Sequence, residues 1–362
     1  MAQAITIDRG AWLGYRWARH GLGPDPDWFS LDDLLTLGVQ GNRQSHGEHA
    51  LSQRVERVAG APVSEAITTD GPLVYAWSVR GAPHAHRADR LDMIREALAP
   101  LPSEEGGQEF IRAVDVVAEA LTAIVTRAVS KAEASSRVTE VVPQSLVVHC
   151  ARCQARHVPE PVFRAAGRQA RIVLAPEHGR ATVLHPCPKT AQQNVENPRR
   201  RLLEAYLRMN GPTTRPLYRE WTEAGTRGVR DLWDERDDLV HVRIGPKRYD
   251  VPEPFVEWIR TAPPARGTAL APQNDPYLRH ADRGLLVPDG SRRTEVFKAL
   301  SGPGAVLVDG EVAGVWRYRR SPAQVRIEMF DAISAHRKRQ VEQRAHALAD
   351  STGDTAPTVV WA

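Results

Sequence analysis

With 362 residues, 42% of them hydrophobic and 25% charged, the chain has the composition of a globular protein with room for two or three cores. No apolar run approaches the roughly 18 residues of a membrane span, and three cysteines exclude a disulfide scaffold and suit the cytosol. A net charge of +4 and a pI near 9.1 point mildly to a polyanionic partner; lysine occupies only positions 131, 189, 247, 298 and 338, so the charge is mostly arginine, the better phosphate fork. The opening Met1-Ala2-Gln3-Ala4-Ile5-Thr6 lacks a secretory leader's basic-then-apolar layout, so a cytoplasmic place, near the nucleoid, is expected.

Residues 8–22 predict an amphipathic helix carrying Trp12, Tyr15, Arg16 and Arg19, closed by Gly21-Leu22-Gly23-Pro24. Ser30 is an N-cap candidate for a helix over 30–38, with Asp32 and Asp33 in its first turn and apolar residues at 31, 34, 35 and 37. Gln40 and Asn42 follow. On non-helical backbone, residues i and i+2 point the same way, so this pair reads either as turn residues or as two amides facing one water or one sugar. A helix over 49–58 and a strand over 73–79 come next, then Arg80-Gly81-Ala82-Pro83-His84-Ala85-His86-Arg87. That segment is either an exposed loop or a source of phosphate and base contacts from Arg80, His84 and His86.

Helices are expected over 89–99 and 109–129, the second from its apolar period. Cys150-Ala151-Arg152-Cys153, with His157, His185 and Cys187 downstream, has the spacing of part of a zinc site. The set Cys150, Cys153, His157 and Cys187 lacks a matching second pair, so the expectation is no metal and no cofactor. Residues 171–184 look like a hairpin wing.

The most regular unit follows. A helix from Pro198 to Asn210 begins Pro198-Arg199-Arg200-Arg201; Gly211-Pro212-Thr213 turns into a second helix with Leu217, Tyr218 and Trp221; a third carries Val229, Leu232 and Trp233. A hairpin with Ile244-Gly245-Pro246-Lys247 and Arg248 at its tip completes it. After a linker over 261–272, strand-like runs around the hairpin signal Asp309-Gly310 suggest a small barrel. A basic helix over 327–350 and a tail strand at Thr358 to Trp361 end the chain.

Leu37-Gly38-Val39-Gln40-Gly41-Asn42 resembles the Gln-x-Gln or Gln-x-Asp signature of the AlkZ/YcaQ-type winged-helix DNA glycosylases. The departures are glycine in the middle and asparagine at the third position. Arg80-Gly-x-x-His84, the run from Tyr206 to Thr214, and Val306 to Arg317 are similar to the same family. The resemblance, from Leu37 to about residue 350, implies an α+β fold: tandem winged-helix units around a concave basic centre with a small C-terminal β-barrel. The units fall at 1–106, 107–196, 197–262 and 263–362.

It further implies a monofunctional glycosylase for cationic N7-alkylguanine adducts in double-stranded DNA, without AP-lyase activity, acting as a monomer and away from membranes. Bulky genotoxin adducts or crosslinks, in an antibiotic producer's self-resistance, are the expected substrates. Gln40 and Asn42 would be catalytic; Arg80, His84, His86, Arg199, Arg200, Arg201, Lys247 and Arg248 would meet DNA. Amides do no acid or base work, but their carbonyls can face a cationic sugar and hold water. That suffices where the base leaves already activated. The other readings are a non-catalytic winged-helix DNA binder or regulator and, more remotely, a zinc hydrolase built on the cysteines.

Overall fold

The computed structural model describes residues 5–41, 44–175, 182–298, 302–352 and 356–362. Its first helix, Arg9–Arg19, starts where the Asp8 carboxylate accepts from Ala11 N at 3.1 Å. It is buried nearly all round, Arg16 included. Ile7, Trp12, Tyr15 and Trp17 pack against residues 242–259 and 269–315 rather than against the helix over 31–37. The Arg16 guanidinium lies 4.4 Å from the Tyr277 ring centroid and donates to Tyr277 O (2.7 Å) and Asn210 Oδ1 (3.1 Å), the pairing that lets a charge sit in an apolar core.

One six-stranded antiparallel sheet dominates the middle of the chain. Its order is Val39–Gln40, Pro83–Arg87, Leu73–Trp77, Ile172–Leu174, Val183–Pro186, Val129–Ser130. The strand expected over 73–79 pairs with Pro83–Arg87, a segment read as loop, and meets the expected wing over 171–184 in one sheet, joined at Leu174 and Tyr75. The tip of the second wing, 176–181, lies outside the described residues. One apolar cluster runs from Leu34 to Trp233 beneath these elements.

The helices Pro198–Asn210, Arg215–Thr222 and Thr226–Asp234 lead into the hairpin Leu239–Ile244 and Lys247–Pro252, as the sequence suggests. Thr214 caps the second helix through Leu217 N. Ile5–Thr6 adds a parallel strand to the hairpin.

The C-terminal strands form an open five-stranded sheet, Thr268–Ala271, Gly304–Val308, Glu311–Arg319, Gln324–Met329, Thr358–Trp361, and not the expected barrel. Its first edge is already taken. Gln53 donates to Leu270 O (3.0 Å) and accepts from Leu270 N (2.9 Å), and His49 Nε2 bonds the same carbonyl at 2.8 Å. A side-chain amide here does for the edge what a sixth strand would do. Alternation is regular: Ala269, Ala271, Ala305 and Leu307 face the Trp12 core, while Leu270 and Val306 face the terminal helix Ala335–Thr352. That helix starts later than expected, because residues 324–329 alternate as a strand. The third helix is likewise displaced, to Gln44–Ser52, and Val58 turns through Ala59 and Gly60 into a small hairpin.

Candidate active site

Ser30 Oγ accepts from Asp33 N at 3.1 Å and fixes the start of the Leu31–Leu37 helix. Gly38 stops it at φ +79°. A Cβ at Gly38 would lie 2.4 Å from the His86 ring, so glycine is needed both for the turn and for the close approach. The chain then enters the sheet: Val39 pairs with Ala85 and Gln40 with His84, and Gly41 N donates to Pro83 O at 3.1 Å. Glycine at the middle of the motif has the same kind of cause. A Cβ at Gly41 would meet the Tyr75 phenol at 2.4 Å. Asn42 lies outside the described residues.

Gln40 is 7% exposed. Its Oε1 accepts from Arg80 Nη2 at 3.1 Å, while Arg80 Nη1 donates to Trp221 O at 2.6 Å. Arg80 has φ +57°, a left-handed conformation that costs a non-glycine residue about 1 kcal/mol or more. Burial, then the nearby positive charge of Arg279, lowers its pKa to about 9. Arg279 is lowered to about 10, first by burial and next by Arg283. Arg80, Arg279 and Arg283 thus lie close enough to act on one another as like charges, with Arg80 the member that touches Gln40. Beside Arg80 a cavity of about 600 Å³ is bounded by Ser78, Gly81, Arg164, Arg168 and Arg199, with Glu104, Glu160 and Glu223 also on its wall. Gln40 is not on that wall; Arg80 stands between.

His84 and His86 lie on a buried strand and not in an exposed loop. They sit on the strand Pro83–Arg87 at 2% and 0% exposure. His86 Nδ1 must carry the proton, because it bonds the Leu35 carbonyl at 2.9 Å; Nε2 then accepts from Ser78 Oγ at 2.9 Å. His84 Nδ1 likewise donates to Ala82 O at 2.9 Å. Burial drives the pKa of His86 down to about 4 and that of His84 well below the usual range, the latter with help from Arg80. Both rings are neutral and hold the amide strand in place.

The other candidate cations divide. Arg201 is committed to Asp33 Oδ1 (2.7 Å) and Asp32 Oδ2 (2.6 Å), Lys247 to Asp282 (2.8 Å), and Arg200 to Glu204 (3.1 Å). Arg199 lies on the cavity wall and donates to Ala99 O at 2.6 Å. Arg248 is exposed on its hairpin. Cys150, Cys153 and His157 are brought together, with their ligand atoms within 4.8 Å of one another. Cys187 is not with them; it packs against the cluster of Val74, Ala76 and Val173.

Three residues beside the motif escape a reading of local spacing. Arg279 and Arg283 come from a segment some 240 positions away. Glu48 is a buried carboxylate in the helix after the motif, close enough for its charge to act on Tyr75.

The family profile described as "DNA glycosylase AlkZ-like" matches residues 35–351. The chain belongs to the AlkZ-like DNA glycosylase family. Its activity class is therefore that of a DNA glycosylase in DNA repair, and its macromolecular substrate is DNA. Among solved structures, Streptomyces sahachiroi DNA glycosylase AlkZ is similar over 99% of this chain and 100% of its own, with a TM-score of 0.71 at 18% identity; at that identity the likeness speaks for the fold. Comparison with curated proteins gives no match. Within the family match, the Gln40 strand, the Arg80 turn and the Arg279 segment are all included, and no described helix is long and apolar enough to cross a membrane.

Proposed function

We propose that the chain hydrolyses the N-glycosidic bond of N7-alkylguanine in double-stranded DNA, bulky adducts and crosslinks included, as part of self-resistance in a producer of DNA alkylators. Gln40 is the observation that carries this reading: a neutral, nearly buried amide held at Oε1 by Arg80, in the motif that resembles the family signature. Cleavage passes through an oxocarbenium-like sugar. A guanine alkylated at N7 is already cationic and leaves as a neutral base, so no proton donor is needed. Gln40 and Asn42 then have only to place water and turn carbonyl dipoles toward the sugar, and normal purines are spared.

Three guanidiniums around a site that must stabilise a cation work against the chemistry unless something neutralises them. Phosphates of the bound DNA do so. Arg80, Arg279 and Arg283 therefore serve as seats for the backbone, and the substrate's own charge completes the site. Lyase chemistry would require an amine nucleophile; the amide mechanism uses none, so the reaction is read as monofunctional.

Single-turnover release of N7-methylguanine, and of a large natural adduct, from duplex DNA tests this. Gln40→Ala should lower the rate by about 10²-fold, roughly 2.7 kcal/mol of barrier, beyond what the loss of the buried Arg80 contact costs in melting temperature, and Asn42→Ala should also lose rate. Both variants working at the wild-type rate would sink the amide mechanism. DNA binding without base release by the wild type would favour the non-catalytic reading. A second reading has Glu48 in its favour, as a buried carboxylate next to the motif; Glu48→Gln losing more rate than Gln40→Ala would select it.

A further inference from the structure

Cys150 and His157 lie on the two strands of a short hairpin, Val148–Cys150 and Ala155–His157, and Cys153 lies in its turn. Gln154 adopts φ +52° there, which folds the turn back and brings Cys153 Sγ to 3.0 Å from His157 Nε2. In the register Val148 opposes His157 and Cys150 opposes Ala155, so Cys150 and His157 share a face while His149 points to the other. The His157 Nδ1–H is given to the Val158 carbonyl at 2.7 Å. A carbonyl only accepts, so the tautomer is fixed with the Nε2 lone pair turned toward the sulfurs. This is the outer-shell arrangement that metal-binding histidines use.

We propose that Cys150, Cys153 and His157 bind one zinc ion, with solvent as the fourth ligand, that staples this hairpin. Two sulfurs and an imidazole suit a soft, tetrahedral d¹⁰ ion over magnesium or calcium. The site forms from an eight-residue window by side chains that nothing in the glycosylase reading uses. A two-stranded hairpin is marginal alone, and this one exposes both strands and the large apolar Val148. The staple has a beneficiary. The hairpin runs through Val158 and Pro159 straight into the helix Glu160–Gln169, whose Arg164 donates to Gly81 O at 2.8 Å beside Arg80.

The full chain, freed of any affinity tag and purified reduced without chelator, is assayed for zinc by mass spectrometry and then titrated with cobalt(II). One zinc per chain is expected, with thiolate-to-cobalt charge-transfer absorbance on exchange. The double variant Cys150→Ser/Cys153→Ser should lose both signals, and His157→Gln should lose the bound zinc on dialysis while keeping the fold by circular dichroism. Base release from N7-methylguanine DNA should continue in the variants, reduced by no more than a few-fold. Substoichiometric zinc in wild type both as purified and after loading would overturn the proposal. So would a Cys150–Cys153 disulfide that, once reduced, still takes up no metal, or a cobalt spectrum unchanged in the double variant.

Discussion

The Gln40 strand and the Cys150–His157 hairpin hold their polar side chains by opposite means. The first gathers residues 40, 80, 84, 86 and 279 from across the chain and buries most of them. The second gathers residues 150, 153 and 157 from one short window and leaves them near solvent. Buried polar groups must be paired or they cost stability, so at the strand the fold itself dictates each hydrogen bond. At the hairpin, sequence spacing alone makes the cluster. Changes at the strand should therefore register in stability as well as in catalysis; changes at the hairpin should register in metal content.

The largest expected effect comes from acid. His20, His49, His84, His86 and His280 are all buried with lowered pKa values, burial being the main cause in each; His49 and His86 fall to about 4 and His280 to about 3. Their folded values lie below the unfolded value of about 6.5. The unfolded chain thus takes up protons that the folded chain refuses. The stabilisation is complete above pH ~6.5 and is lost as pH falls toward ~4, at up to about 1.4 kcal/mol per pH unit for each histidine. Urea unfolding between pH 7 and 4.5 should show a slope of several protons. A slope near zero would break the claim that the strand region is the interior half of the comparison.

Next in size is the tie between the two halves of the chain. Arg54 binds Asp275 by two bonds, 2.7 and 3.0 Å, with both side chains buried, and its Nε donates to His20 O at 2.8 Å. Arg54→Ala strands a buried carboxylate and should cost about 3–5 kcal/mol. Arg54→Met with Asp275→Leu should recover much of that loss. If Arg54→Ala costs less than 1 kcal/mol, burial does not set the value of these pairs.

A glycine gives a finer test. Gly41→Ala pushes a methyl into the Tyr75 ring and should cost about 1–3 kcal/mol by overpacking, with base release falling further than the stability loss explains. Gly41→Ala with Tyr75→Leu should restore melting temperature before it restores rate. Equal recovery of both would mean that the motif's placement matters less than its packing.

What the sequence made legible follows the same division. Ser30 as a cap, the Asp309-Gly310 turn, the Lys247 hairpin and the cysteine spacing are local, and each is found where the residues suggest. The open C-terminal sheet was not legible, because its edge is closed by Gln53, more than 200 positions away from Leu270. Nor was the strand Pro83–Arg87. Proline and two histidines do not look like a buried strand, and the burial is tolerated only because Leu35 O, Ser78 Oγ and Ala82 O stand ready as partners. Arg201 looks like a phosphate ligand beside Arg199 and Arg200 until Asp32 and Asp33 are seen to bind it.

That last contrast supplies the smallest prediction. Arg248 is exposed, whereas Arg201 is 17% exposed at its side chain and carries two carboxylates. A cation that neutralises a phosphate contributes about one unit to the slope of log affinity against log salt. Arg248→Ala should weaken binding to undamaged duplex uniformly across sequences and reduce that slope by about one, with melting temperature unchanged within error. Arg201→Ala should do the reverse: lower the melting temperature, because Asp33 loses a partner near the start of the motif helix, and leave the salt slope alone. Fluorescence anisotropy over a salt series, paired with thermal melts of the same two variants, separates them. If Arg201→Ala changes the slope and Arg248→Ala does not, the duplex approaches along the Asp32 face rather than the hairpin, and the phosphate seats beside Arg80 would be reached from that side.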